Sequence, residues 1–336
     1  MAPPVDVAEL IEDYTPRLVL YPEIQPNSER EVDSKYPDES PLLYDYHPRD
    51  IRLVLESCLL EEDNAPQNGL TTWKEMLDKM ERGNYQGKLD LLPGVRPNEK
   101  SKFWNAYAGI DKDRPDFERV CYARVVHGEG RNRDRMVAQY WYAYFYNDFW
   151  NTHEMDFEVV MIIFKVSDND IQPTVCAYSA HMGGHWLPWS EVEKEDATTH
   201  PMVYVANGSH ANYFYGARKF STARPAFRMA AKLLKPNRRL LDYTISKEGG
   251  ESHLVKAHVI PEPGQDGLWA DDWRWLNHEH RWGSVGRFFD FQFADAAPNG
   301  PPKTGDKWHD PLLWIDESCA KAPESDDKFP PSRKEP

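Results

Sequence analysis

The chain has 336 residues, a formal net charge of −15, and 40% hydrophobic and 13% aromatic content. That is enough apolar matter for a large core, and the negative balance argues against nucleic acid and anionic membrane surfaces as general partners. No apolar run approaches membrane-spanning length, and the opening M-A-P-P-V-D-V lacks the basic start and apolar core of a secretory signal.

Cys58, Cys121, Cys176 and Cys319 lie far apart and form no C-x-x-C pair. Nothing requires a disulfide, so a reducing, cytoplasmic setting is expected. In chain order, residues 5–13 read as a short helix with Val7, Leu10 and Ile11 on one face and Pro16 ending it. Residues 18–21 enter a sheet. Residues 22–50 are rich in Pro, Asp, Glu and Ser and read as a long irregular loop. Residues 51–60 are an apolar run of strand or short-helix type. Between 70 and 82, Trp73, Met76, Leu77 and Met80 recur at helical spacing, which predicts a helix laid over the sheet. Residues 89–100 read as a Pro and Gly loop.

Residues 120–126 alternate and meet H-G-E-G-R-N-R-D, a hairpin turn into a long aromatic strand. The G-E-G here lacks the following Lys-Ser/Thr and the strand-to-helix context of a phosphate loop. The next stretch, from Gln139 to Phe164, is the most informative in the chain. It reads Q-Y-W-Y-A-Y-F-Y-N-D-F-W-N-T-H-E-M-D-F-E-V-V-M-I-I-F. Its rings form either core or a pocket wall; Trp141, Tyr144, Tyr146, Phe149 and Trp150 are the wall candidates. Its second half has strand composition. Side chains two apart in a strand share a face, so Asp156 and Glu158 point one way and Phe157, Val159 and Met161 the other. His153 is out of phase with Asp156, so it joins them only if it comes from the preceding turn. Two adjacent carboxylates repel, and a cation or a shared proton is the usual remedy. The plain alternative is a solvated strand end.

Residues 174–179 form the next strand, followed by S-A-H-M-G-G-H-W with His181 directly at the strand end and His185 further on. Residues 202–206 are a strand running into N-G-S-H, a turn that delivers His210. Residues 220–235 read as a helix stopped by Pro236. Further on, W-R-W-L-N-H-E-H-R-W-G suggests a packed aromatic layer with surface histidines. The expected architecture is mainly β, an antiparallel β-sandwich with peripheral helices and long irregular loops. It comprises a single domain over residues 1–316, with helical insertions at about 65–100 and 217–240. A tail over 317–336 is expected to be disordered.

Several of these stretches resemble known families. H-E-M-D-F-E (His153 to Glu158) resembles the H-E-G-D-W-E motif of the vacuolar-protein-sorting 62 family and, more remotely, the G-H-R-H-D-W-E motif of the necrosis- and ethylene-inducing-like proteins. H-P-M-V-Y-V-A-N-G-S-H-A-N-Y-F (His200 to Phe214), Y-T-P-R-L-V-L-Y-P-E (Tyr14 to Glu23) and Arg281-Trp282-Gly283 with Gly300-Pro301 are similar to the first family's further motifs. The sequence departs at Met155 for Gly and at Phe157 for Trp. The resemblance implies a β-sandwich. It also implies a divalent cation on His153, Asp156 and Glu158, with Asp148 as a loosely matched fourth ligand. Mg²⁺ or Ca²⁺ suits an oxygen-rich set, and Mn²⁺ or Zn²⁺ a set with more imidazole.

Two functions stay open. One is an intracellular enzyme on a small-molecule substrate, with His210, His181 and Glu158 as catalytic candidates and the cation polarising an oxygen. The other is a metal-dependent module that binds glycolipid or membrane head groups in a trafficking role. An enzyme should hold its carboxylates at the floor of an enclosed site; a head-group binder should hold them on an open rim beside exposed apolar surface.

Overall fold

The computed structural model describes residues 6–23, 45–57, 59–60, 73–81, 89–92, 95–97, 99–110, 117–149, 152–167, 170–181, 183–221, 241–283, 297–322 and 327–328. Helix α1 (Val7–Asp13) starts where the Asp6 carboxylate accepts the N–H groups of Ala8 and Glu9, and it buries Leu10 and Ile11. Strand β1 (Arg17–Leu20) follows. The apolar run after residue 50 is helix α2 (Ile51–Ser57) and then a two-residue strand, β2 (Leu59–Leu60). Helix α3 (Trp73–Glu81) falls where the helical spacing placed it. Strand β3 (Leu89–Asp90) and helix α4 (Lys100–Gly109) come next.

The large sheet is then laid down as a meander. Its strands are β4 (Val120–His127), β5 (Arg135–Asn147), β6 (His153–Ser167), β7 (Asp170–Ala180) and β8 (Gly183–Pro188). Short strands complete the fold: β9 (Met202–Val205), β10 (Asn212–Tyr213), β11 (Arg218–Ser221), β12 (Leu241–Tyr243), β13 (Glu251–Leu254), β14 (Lys256–Val259), β15 (Cys319–Lys321) and β16 (Asp327–Lys328). The seven-stranded order is β14-β4-β5-β6-β7-β8-β15, antiparallel inside and parallel at both edges. A four-stranded sheet has the order β10-β9-β1-β13, and a three-stranded one β12-β11-β16. The fold is therefore mainly β, with mixed rather than wholly antiparallel sheets.

Both faces of the large sheet are covered along its centre, which explains why β5 is buried continuously from Met136 to Asn147 and β6 from Phe157 to Phe164. On one face, Tyr140, Tyr142 and Tyr144 of β5, Val160 and Ile162 of β6 and Tyr178 of β7 pack against Leu18 and Leu20 of β1 and Val203 and Val205 of β9. That is the sandwich. On the other face, Trp141 and Phe145 of β5 and Phe157, Val159 and Met161 of β6 meet Leu53 of α2, Met76 of α3, and Phe103 and Trp104 of α4. The peripheral helices thus form a third layer over the sheet. Most of the aromatic stretch is core: Trp141, Tyr144 and Tyr146 are fully buried. Trp150 lies outside the described residues.

Three further expectations are refined. Residues 317–321 are ordered, since the helix Pro311–Ser318 runs into β15, which pairs with β8. The helix expected over 220–235 falls almost wholly outside the described residues. Residues 271–277, in the Trp-rich stretch, form a 3₁₀ helix that buries Trp275. The closing motif supports the back of β6. Trp282 stands edge-on to Phe157 with ring centroids 5.5 Å apart. Gly283, at φ 97°, lies so close to Glu154 that a Cβ would fall 2.3 Å from that residue's own Cβ. Gly300 makes room in the same way for the Trp282 indole.

Candidate active site

Met155 explains how H-E-M-D-F-E distributes its side chains. It sits in the left-handed region at φ 56°, an uncommon place for a non-glycine residue. Up to that point the pairing with β5 is regular: Phe157 faces Ala143 and Asp156 faces Tyr144. Beyond it, Glu154 faces Tyr146 and sends its carboxylate to the N–H of Leu91, beneath the helical layer. Asp156 and Glu158 remain on the sandwich side with Val160 and Ile162. The motif's two glutamates therefore serve opposite faces.

Three elements converge on Asp156 and Glu158. From the end of β7 come Ser179 and His181, from the β9–β10 turn Ser209 and His210, and from β12 Asp242. The His210 Nδ1 lies 3.1 Å from Asp156 Oδ2, and its ring is stacked on Tyr144 with centroids 4.0 Å apart and planes 9° from parallel. Asp156 Oδ1 also accepts the N–H of Phe157 at 3.0 Å. The Ser179 hydroxyl accepts the N–H of Val159 and donates its own proton to Glu158 Oε2. His181 Nε2 lies 2.6 Å from Asp242 Oδ2. Asp242 is fully buried and also accepts Ser209 Oγ at 2.6 Å and Tyr213 Oη at 2.5 Å. His181 and His210 both occupy the left-handed region, at φ 55° and 57°. Three such residues around one cluster mark strain held in place by the surrounding fold.

The electrostatics separate the two carboxylates. Burial works to raise both, but at Asp156 the His210 hydrogen bond and the His153 and His210 imidazoles outweigh it and hold the carboxyl below its ordinary value. At Glu158 burial prevails, reinforced by the charge of Asp156, and pushes the carboxyl up to about 8. Near pH 7 Asp156 is thus a carboxylate and Glu158 a carboxylic acid. His181 is desolvated, yet the charge and hydrogen bond of Asp242 lift it to about 9.

The structure brings Asp156, Glu158, His181 and His210 into one cluster, with His153 at its edge. His153 Nδ1 donates to the Met155 carbonyl at 2.6 Å. Asp148 stands elsewhere: it is fully buried and ion-paired with the Lys100 ammonium, on the Tyr146 side. A bound Lys already balances Asp148, whereas Asp156, Glu158 and His153 present oxygen and imidazole donors of the type a divalent cation takes. Sequence reasoning missed Asp242, which carries no motif. Its only signal was a carboxylate inside the apolar run L-L-D-Y.

Among the described residues, the group of three imidazole or carboxylate ligand atoms close enough to hold a metal ion lies at His47, Glu251 and His253. The described cysteines Cys121, Cys176 and Cys319 are free thiols. Among the described residues, no helix is long and apolar enough to cross a membrane.

No family model and no curated protein matches the chain. Among solved structures it is similar to a non-toxic HaNLP3 protein, at 14% identity and TM-score 0.21, over 28% of this chain and 50% of that one. It is also similar to NLPPya in complex with glucosamine, at 17% identity and TM-score 0.25, over 37% of this chain and 52% of that one. The match spans about half the length of each of these structures. This is a remote and partial likeness to the necrosis- and ethylene-inducing-like proteins, while the vacuolar-sorting resemblance rests on the sequence motifs alone.

Proposed function

We propose that the cluster around Asp156 and Glu158 binds a small polar molecule and transfers protons on it. One arrangement carries this reading: two carboxylates on one strand face, two residues apart, meet different partners. Asp156 meets the His210 imidazole and Glu158 the Ser179 hydroxyl in a buried setting, and these surroundings drive their protonation states apart. Environments that push paired groups apart are how one site holds an acid and a base at the same pH. Asp156, oriented by His210, is the base, and Glu158, held by Ser179, is the acid. His181, kept protonated by Asp242, stands beside them as an imidazolium whose charge Asp242 balances and whose N–H groups can stabilise a developing anion.

The degree of enclosure favours this over a head-group module. Only 13% of the Asp156 side chain is exposed and 2% of His210, and Glu158 is buried. The exposed large apolar residues among those described, Leu254, Val259, Leu268 and Leu313, lie on none of the elements that supply the cluster. A divalent cation on His153, Asp156 and Glu158 is a separate state of the same site: holding it would require Glu158 to be ionised, which replaces the acid with a cation that would polarise an oxygen of the ligand.

The test is a thermal-shift screen against sugar acids, amino sugars, hydroxy acids and amino acids, with and without Mg²⁺. Compounds that stabilise the wild type are then assayed for turnover or solvent-hydrogen exchange. At least one compound should stabilise the wild type and exchange or turn over, with both effects lost in Asp156→Asn and Glu158→Gln. Compounds that stabilise all three proteins equally would refute the proposal.

A further inference from the structure

Strand β13 is the edge of the four-stranded sheet, and Glu251 and His253 are two residues apart on it, hence on one face. Their side chains are part-exposed, and His253 Nε2 lies 3.1 Å from Glu251 Oε2. Facing them is His47, fully buried, with its ring centroid 5.5 Å from that of His253. One ligand atom from each of the three lies within 4.8 Å of the other two.

The hydrogen bonds of His47 fix its tautomer. Nε2 lies 2.8 Å from the Tyr21 carbonyl oxygen, which can only accept, so Nε2 carries the proton. Nδ1 is then a bare lone pair, and it accepts from Arg119 Nε at 3.0 Å. A ring nitrogen that donates to a backbone carbonyl while the other presents its lone pair is the usual support of a metal-ligating histidine. Two imidazoles and one carboxylate are a set that Zn²⁺ takes with its fourth position left open.

We propose that His47, Glu251 and His253 form a Zn²⁺ site for which Arg119 competes. The Arg119 guanidinium uses the same lone pair on His47 and lies 4.0 Å from Glu251 Oε2, so cation and guanidinium exclude one another there. Arg119 keeps a second anion in reach when it yields: its Nη2 is 3.7 Å from Glu23 Oε2. Glu23 is otherwise committed to Arg49 and Tyr107. His47 and His210 line one small cavity with Tyr21, Asp45, Tyr46 and Ala206, so the zinc site backs onto the Asp156 cluster without sharing a ligand with it.

The test is calorimetric titration of ZnCl₂ into tag-free, chelator-treated full-length protein, with thermal melts alongside. The wild type should bind one Zn²⁺ per chain and gain melting temperature on binding. His253→Ala and Glu251→Gln, both part-exposed edge positions that spare the buried His47, should each weaken binding at least ~10-fold. Arg119→Ala should tighten it by about as much, which incidental surface binding would not do. Asp156→Asn should bind Zn²⁺ like the wild type, keeping this outcome separate from the proton-transfer reading. A wild type with no saturable site, a His253→Ala variant that binds normally, or weaker binding by Arg119→Ala would each overturn the proposal.

Discussion

The His210 imidazole lies flat on the Tyr144 ring while its Nδ1 meets Asp156, so one residue is fixed by stacking on β5 and by a charge on β6. The left-handed turn at His210 is what carries the ring there. Asp156→Asn removes the charge but leaves the stack and the core residues of β6 untouched. The variant should keep its fold, with a melting temperature within a few degrees of the wild type, and lose ligand binding. Paired thermal melts with and without the compound from the screen check both halves.

Phe157 faces the opposite way, between Trp275 and Trp282, and is 7% exposed. Phe157→Ala should cost about 3–5 kcal/mol, the usual loss for truncating a buried ring. Denaturant melts measure it. The contrast with Asp156→Asn separates the residue that holds the strand from the residue that works on it.

At Met155 two effects oppose. Glycine, which the resembling motif carries, would relieve a left-handed backbone worth roughly 1–2 kcal/mol. It would also delete a fully buried side chain, which for Met→Ala alone costs about 2–5 kcal/mol. The lost burial outweighs the relieved strain, so Met155→Gly should lower stability in the same denaturant melts.

Stability should fall as pH rises from about 6.5 to 9, for two reasons with the same sign. Below that range the buried imidazoles of His47 and His278, both pushed down to about 4 by desolvation, act in the opposite direction. Glu158 has a folded value near 8 against an ordinary 4.5, and His181 one near 9 against 6.5. Each binds its proton more tightly when folded. Its stabilisation is complete below the ordinary value and is lost as pH passes through the folded one. For His181 this is on the order of 3 kcal/mol. Glu158→Gln should flatten the decline between about pH 6.5 and 8. His181→Asn, which suits the left-handed backbone, should flatten it between about 6.5 and 9. Melting temperature against pH for the three proteins checks the assignment.

Much of this was legible in the sequence. Period-two reading placed Asp156 and Glu158 on one face, and turn residues placed His181 and His210 at strand ends. Helical spacing found α3. The rest depended on contacts that no local pattern encodes. Whether Trp141 was wall or core turned on a helical layer drawn from α2 to the C-terminal helices, far apart in the chain. Asp242 joins His181 across 61 residues, and His47 meets His253 across most of the chain. Glu154 reads as a neighbour of Asp156, and only the left-handed turn at Met155 sends it to the other face.

The central claim is that Asp156 and Glu158 hold opposite protonation states at neutral pH. It is measured most directly by following side-chain carboxyl carbon shifts with pH in protein labelled at Asp and Glu. Glu158→Gln and Asp156→Asn assign the two signals. Glu158 should titrate near pH 8, and Asp156 below its ordinary 3.8. A Glu158 signal that titrates near 4.5 with the surface glutamates would contradict the account.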